Sequence, residues 1–242
     1  MEEKRSEKER LHSFSIGLSE EILAFRKVIY YNDIGYILMS RFRDRIYGKV
    51  ILIMAKKEQG TRELYILLLR TQSLLSRVIH IATKEQYTHV SIGFSGDCTQ
   101  FYSFARRYTR LPLPAGFVHE SIESGMMAKC KDAPCALYRL EVSEQSYRAI
   151  RKKFKKMLPM QRRFQYSVLG TFLCFFGIPY KRRNKYFCSQ FVAETLNEVG
   201  IMELTKCPEL YHPVDFLSLP EMELCYEGTL GGLAQKRFAL SC

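Results

Sequence analysis

No Cys-x-x-Cys pair occurs in the 242 residues, and no two histidines stand three to five residues apart. The eight cysteines therefore do not spell a zinc site, and no metal or cofactor is called for. No apolar run approaches the ~20 residues of a membrane-spanning helix. The longest, from Val168 to Pro179, is about half that length. The opening MEEKRSEKER has no apolar centre of the kind a secretory leader carries. The expectation is a soluble, cytoplasmic protein, with peripheral attachment to a membrane as the variant reading. In that setting the cysteines read as reduced, small apolar residues, and the terminal Cys242 is not a prenylation site. Internal repeats are absent, and low complexity is confined to the first residues.

Acidic residues are missing from one long stretch. Between Gln145 and Ala193 there is no Asp or Glu, yet twelve of the 37 Lys and Arg residues lie there, from Arg148 to Lys185. The other 25 basic residues are balanced by 25 acidic ones, so the whole net charge of +12 belongs to this segment. Such a segment is either a solvated helix face with its loop, or a surface for an anionic partner such as a cell-wall polymer or a phospholipid membrane. Nucleic acid is disfavoured, because Phe154, Phe164, Tyr166, Phe172, Phe175 and Phe176 follow core spacing rather than that of a stacking platform.

The rest of the composition is that of a folded domain, 47% hydrophobic and 13% aromatic. Residues 1–13 read as a disordered charged tail. Residues 14–60 read as an N-terminal extension, with a helix from Ser19 through Ile22, Phe25 and Ile29 and a strand from Val50 to Met54. Residues 61–242 then form the main domain. Leu64 to Leu69 reads as a buried strand, and Thr71-Gln72-Ser73 caps a helix to Ala82. Tyr87 to Phe94 alternates with period two, setting Val90, Ile92 and Phe94 against His89, Ser91 and Gly93. Ser95-Gly96-Asp97 turns the chain into a strand from Gln100 to Ala105, which makes a hairpin. Leu111 to Gly116 reads as a loop, Phe117 to Ile122 as a short strand and Ala136 to Val142 as a clearer one. Ser143-Glu144 opens a helix through Leu158 whose outer face is basic. Tyr166 to Phe176 reads as a more buried helix broken by Gly177 and Pro179. Pro213 to Phe216 starts another helix, and Met222 to Tyr226 is a final strand. Strands and helices are mixed without strict alternation, so the fold class is α+β.

The chemistry centres on Lys185-Tyr186-Phe187-Cys188-Ser189-Gln190-Phe191. A helix from Cys188 puts Cys188, Phe191, Val192, Thr195, Leu196 and Val199 on one face, and Gly200 stands where it would stop. The cysteine falls in the first turn, where free N–H groups and the positive dipole end favour a thiolate. A cysteine nucleophile needs a base, and a third group to orient that base. His12 lies in the tail, His80 on a helix, His119 in a loop-like stretch and His212 before a proline. His89 alone begins a strongly patterned strand, with the small Ser91 and Gly93 leaving room on its face for a helix end. Taken singly, such a cysteine is more often a core residue, and a histidine starting a strand is usually a half-buried edge residue.

The order Thr88-His89-Val90-Ser91-Ile92-Gly93-Phe94, then Thr99-Gln100-Phe101-Tyr102-Ser103-Phe104, then Tyr186-Phe187-Cys188-Ser189-Gln190-Phe191-Val192 resembles the circularly permuted papain-fold cysteine hydrolases. These include NlpC-like amidases and peptidases of the YiiX/YebB type and the lecithin retinol acyltransferase-like enzymes. The resemblance covers roughly residues 62 to 230. It implies an antiparallel sheet packed on the helix that carries the nucleophile, with Cys188 as nucleophile and His89 as general base. The third polar residue in such families follows on the next strand, where Ser103 is favoured on hairpin register and Gln100 is the runner-up. No carboxylate stands on that strand, which implies a less basic His89. Tyr166 resembles the tyrosine that precedes the cysteine helix, with Ser167 where an Asp is frequent; a buried aromatic is the equal alternative. Ser189 and the helix start are the expected oxyanion donors. The implied activity is cleavage of an amide, peptide or isopeptide bond through a thioester. The alternatives are a lipid-acting thioesterase or acyltransferase at an anionic surface, and a non-catalytic binding protein of the same fold.

Overall fold

In the computed structural model the chain divides between Ala55 and Lys56. The structure describes residues 60–71, 74–108 and 114–240, all within the second unit. The expected tail, the helix from Ser19, the strand from Val50 to Met54 and residues 111–113 of the expected Leu111–Gly116 loop lie outside the described residues, while Ala115 and Gly116 of that loop instead open a strand.

The described unit is α+β, built on one eight-stranded sheet. Its strands are β1 (Thr61–Leu69), β2 (His89–Gly93), β3 (Phe101–Arg106), β4 (Ala115–Glu120), β5 (Pro134–Ser143), β6 (Gln165–Tyr166), β7 (Lys185–Tyr186) and β8 (Met222–Thr229). They lie in the order β7-β6-β4-β3-β2-β1-β5-β8. Every pairing is antiparallel except β6 with β7. Five α-helices accompany the sheet: α1 (Leu74–Thr83), α2 (Glu144–Met157), α3 (Val168–Phe175), α4 (Cys188–Glu198) and α5 (Leu230–Leu240).

Period-two alternation assigns each strand's side chains to two cores. Leu64, Ile66 and Leu68 of β1 join Val90 and Ile92 of β2 in a cluster that takes Ile150 and Phe154 from α2 and Phe191, Val192 and Leu196 from α4. Leu67 and Leu69 join Phe101, Cys135 and Leu137 in a second cluster, closed by Leu230 and Leu233 of α5. Helix α4 is held by the first cluster. Its Phe191 ring lies 5.0 Å from Phe104 and 5.4 Å from Phe154, and burying such a side chain contributes about 1.5–3 kcal/mol. Ser143 caps α2 by accepting from the Ser146 N–H at 3.1 Å. Gly200, at φ +70, follows the end of α4, a conformation that favours glycine.

Two expectations fail instructively. Tyr166 lies in the two-residue β6 and not in a helix, because Ser167 caps α3 and the first helical residue is Val168. Nor is α3 buried: Leu169 is 54% exposed, Phe172 46% and Phe176 74%, while Gly170, Thr171 and Cys174 face inward. Its apolar content had suggested core, but only one side of this eight-residue helix meets protein. Helix α5 was not anticipated after the last strand.

Candidate active site

The site forms where β2 and β3 separate. The two strands pair only at Ile92↔Tyr102 and Gly93↔Phe101, so His89, four residues from the joined end, has no β3 partner. The Ser103 hydroxyl bridges the parting strands by donating to the Val90 carbonyl at 2.7 Å. Helix α4 packs on both strands, and its N-terminus meets His89. The room for that approach does not come from Gly93. A Cβ there would stand 2.6 Å from the Phe101 ring, which already fills the space.

The imidazole of His89 is held by a carboxylate. Its Nε2 lies 3.0 Å from Glu120 Oε2, with only 9% of either side chain exposed. Burial alone would lower the His89 pKa, but the charge of Glu120 and a hydrogen-bonding contact with Cys188 outweigh it and hold the pKa well above the ordinary histidine value. With Nε2 engaged by Glu120, Nδ1 is the nitrogen left for the sulfur.

Cys188 is the first residue of α4 and is buried. Phe187 caps the helix in extended conformation without a side-chain hydrogen bond. The first intrahelical bond runs from the Phe191 N–H to the Phe187 carbonyl at 3.0 Å. By helix geometry, the N–H groups of Cys188, Ser189 and Gln190 precede the ladder and have no intrahelical acceptor. They lie beside the sulfur, as donors for an oxyanion must.

Cys188, Ser189 and Tyr166 line one cleft, together with Thr88, Thr171 and Phe187. The Tyr166 hydroxyl accepts from Thr171 Oγ1 at 3.3 Å. Burial, reinforced by the neighbouring Cys188, pushes the Tyr166 pKa up, so it is a neutral hydroxyl at the sulfur's side.

Of the residues singled out in the sequence, Cys188, His89, Tyr166 and Ser189 therefore come together. Ser103 and Gln100 do not join them. The Ser103 hydroxyl is committed to Val90, and Gln100 is exposed, with its carbonyl accepting from the Phe94 N–H at 3.2 Å. The orienting group is Glu120, at the end of β4 and in register with Phe101. The expected weakly held, less basic His89 is corrected accordingly. The signal for Glu120 was present, a carboxylate within the strand expected from Phe117 to Ile122. It was missed because the third group was sought on the strand next in sequence to His89.

Sequence reasoning also passed over a second constellation in the same cleft. His212 Nδ1 lies 2.6 Å from Glu85 Oε1, and the His212 pKa is raised to about 10, first by a hydrogen bond with Cys174 and then by Glu85. Cys174, His212 and Glu85 all line the cleft, and Glu85 Oε2 is buried with no partner among the described residues. The contacts run in a chain, sulfur to ring to carboxylate, so the three do not converge on a point as metal ligands do. His80 and His119 are structural. His80 sits between the Glu85 carbonyl at 2.7 Å and Arg70 at 3.2 Å, and the exposed His119 ring packs on Tyr102.

Compared with known proteins, the sequence matches no family model and no curated protein.

Proposed function

We propose that this chain is a cysteine-dependent hydrolase of the permuted papain-like kind, acting on an amide or peptide bond. The observation that carries the reading is the buried His89, fixed by Glu120 at 3.0 Å through Nε2, with Cys188 at the start of α4 among the groups that raise its pKa. Cys188, His89 and Glu120 then supply nucleophile, base and orienter, the three parts this chemistry needs.

In the first half-reaction the thiol proton passes to His89, and the Cys188 sulfur attacks the substrate carbonyl. The oxyanion of the tetrahedral intermediate is received by the free N–H groups at the start of α4. As the intermediate collapses, His89 gives its proton to the leaving amine, and a thioester remains on Cys188. A water then enters, His89 takes one of its protons, and the hydroxide attacks the thioester. The acid departs and the Cys188 thiol is restored. The Glu120 carboxylate offsets the imidazolium charge, which burial would otherwise penalise.

The test uses p-nitrophenyl acetate as acyl donor, quenched in acid, with mass mapping of the acetyl group. An acetyl thioester on Cys188 that hydrolyses in the native chain, and that fails to form in His89→Ala, supports the reading. No Cys188 adduct, or an equal yield in His89→Ala, would count for a non-catalytic protein of the same fold.

A further inference from the structure

Helix α3 is an excursion at the sheet edge. It leaves β6 and returns to β7, and those strands lie side by side with Gln165 paired to Lys185 and Tyr166 to Tyr186. The Gln165 N–H donates to the Asn184 carbonyl, and the Ser167 N–H to the Tyr186 carbonyl, each at 2.9 Å. Strand β6 can lie this close to β4 because residue 116 is glycine; a Cβ there would fall 2.0 Å from the Phe164 carbonyl oxygen. The chain before the helix and the chain after it therefore meet at one place.

Apolar side chains stand out from this excursion. Leu169, Phe172, Phe176 and Ile178 are 54%, 46%, 74% and 50% exposed, and Val168 is exposed too. Gly177, at φ +68, ends the helix with its N–H on the Cys174 carbonyl, while the Ile178 N–H bonds the Leu173 carbonyl. That turn fixes Phe176 and Ile178 against the helix end. Half of the large hydrophobic side chains exposed among the described residues fall within these eleven positions, which is more than scattered surface apolarity.

Cations flank this excursion in the chain. Arg162 and Arg163 precede β6, and Arg182 and Arg183 precede β7, so the pairing of the two strands brings both pairs to the same edge. All four are exposed, and none has an ion-pair partner among the described residues. Lys181 differs, being held by Glu194 at 3.1 Å and Glu209 at 3.8 Å. No acidic residue occurs between Gln145 and Ala193 to oppose them. An apolar helix face flanked in the chain by unpaired arginines, two before β6 and two before β7, suits the layering of an anionic bilayer surface, acyl chains below and phosphates above.

We propose that the exposed face of α3, with Arg162, Arg163, Arg182 and Arg183, docks this protein on anionic lipid membranes. Phe172, Phe176, Leu169 and Ile178 enter the headgroup boundary, and the arginines engage lipid phosphates. The inward face of the same helix supplies Thr171, Cys174 and Phe175 to the cleft, so docking sets the cleft next to the membrane. The docking is independent of the chemistry at Cys188.

Flotation of the full chain with vesicles tests this, using phosphatidylcholine alone and phosphatidylcholine mixed with phosphatidylglycerol. Binding to the mixed vesicles, lost at high salt and weak on the neutral ones, is expected. The Leu169→Ser/Phe172→Ser/Phe176→Ser variant and the Arg182→Glu/Arg183→Glu variant should each lose about tenfold or more in binding, with wild-type melting curves because the changed side chains are exposed. Cys188→Ala should bind as wild type, which separates this result from the hydrolase reading. Absence of binding to the anionic vesicles would overturn the proposal, as would equal binding by the apolar variant. A wild-type dimer that the apolar variant converts to monomer, without vesicle binding, would overturn it in favour of self-association.

Discussion

Cys188 and Cys174 share one cleft, and each raises the pKa of an imidazole that a carboxylate holds. They differ in where their helices point. Cys188 is the first residue of α4, with unbonded N–H groups around it. Cys174 is the last residue but one of α3, where its own carbonyl accepts from the Gly177 N–H at 3.0 Å. Around Cys174 the backbone offers acceptors and the negative end of the helix dipole, which repel an oxyanion. The same three side-chain types therefore make a candidate nucleophile at one helix end and an ion-paired wall at the other. Helix polarity, more than the presence of a histidine, distinguishes the two thiols.

The largest test of this contrast is to remove each sulfur in turn. Cys188→Ala should lower p-nitrophenyl acetate turnover by about a thousandfold or more, whereas Cys174→Ala should stay close to wild type. Comparable losses from both would break the distinction.

Removing each carboxylate is the next step. Without Glu120, burial dominates at His89 and its pKa falls, so the alkaline limb of the rate profile, where the imidazolium loses its proton, should move to lower pH. Turnover in Glu120→Gln should drop by about a hundredfold, while Glu85→Gln should leave the limb in place. Steady-state rates from acid to alkaline pH read both.

Glu85→Gln should instead be felt in stability. His212 has a folded pKa of about 10, raised from the ordinary 6.5. A raised histidine contributes stability that is full below about pH 6.5 and is lost as pH rises through about 10. The urea midpoint of the native chain should therefore fall across that window, and Glu85→Gln should flatten the decline. An unchanged slope would mean that the Glu85–His212 pair carries none of it.

The last comparison is between the two phenylalanines that represent the two helices. Phe191→Ala in the core should cost about 3–5 kcal/mol of unfolding free energy. Phe172→Ala on the exposed face should stay within about 0.5 kcal/mol of wild type.

The strands and helices around His89 and Cys188 were legible because period two and period 3.6 are strong local signals there. The encounter of the two residues was suggested by motif order and resemblance; the splay between β2 and β3 that admits the helix end has no sequence signal. Glu120 was legible as a carboxylate on the strand from Phe117, but its pairing with His89 was not, and neither was the Glu85–His212–Cys174 chain. Each joins residues from separate strands, loops and helices, and single-sequence patterns carry no information on such pairing. Helix α3 was misjudged for a related reason. Apolar spacing marks a face that avoids water, but it does not say whether protein or some other apolar phase covers it.

The distinction between the two sulfurs is tested most directly by alkylating the native full chain with limiting iodoacetamide at neutral pH and mapping the adduct by mass. Cys188 should be modified first, ahead of Cys174 and of Cys135, whose thiol burial pushes up to about 12, and His89→Ala should remove that lead. Modification of Cys174 first, or a Cys188 rate indifferent to His89, would contradict the account.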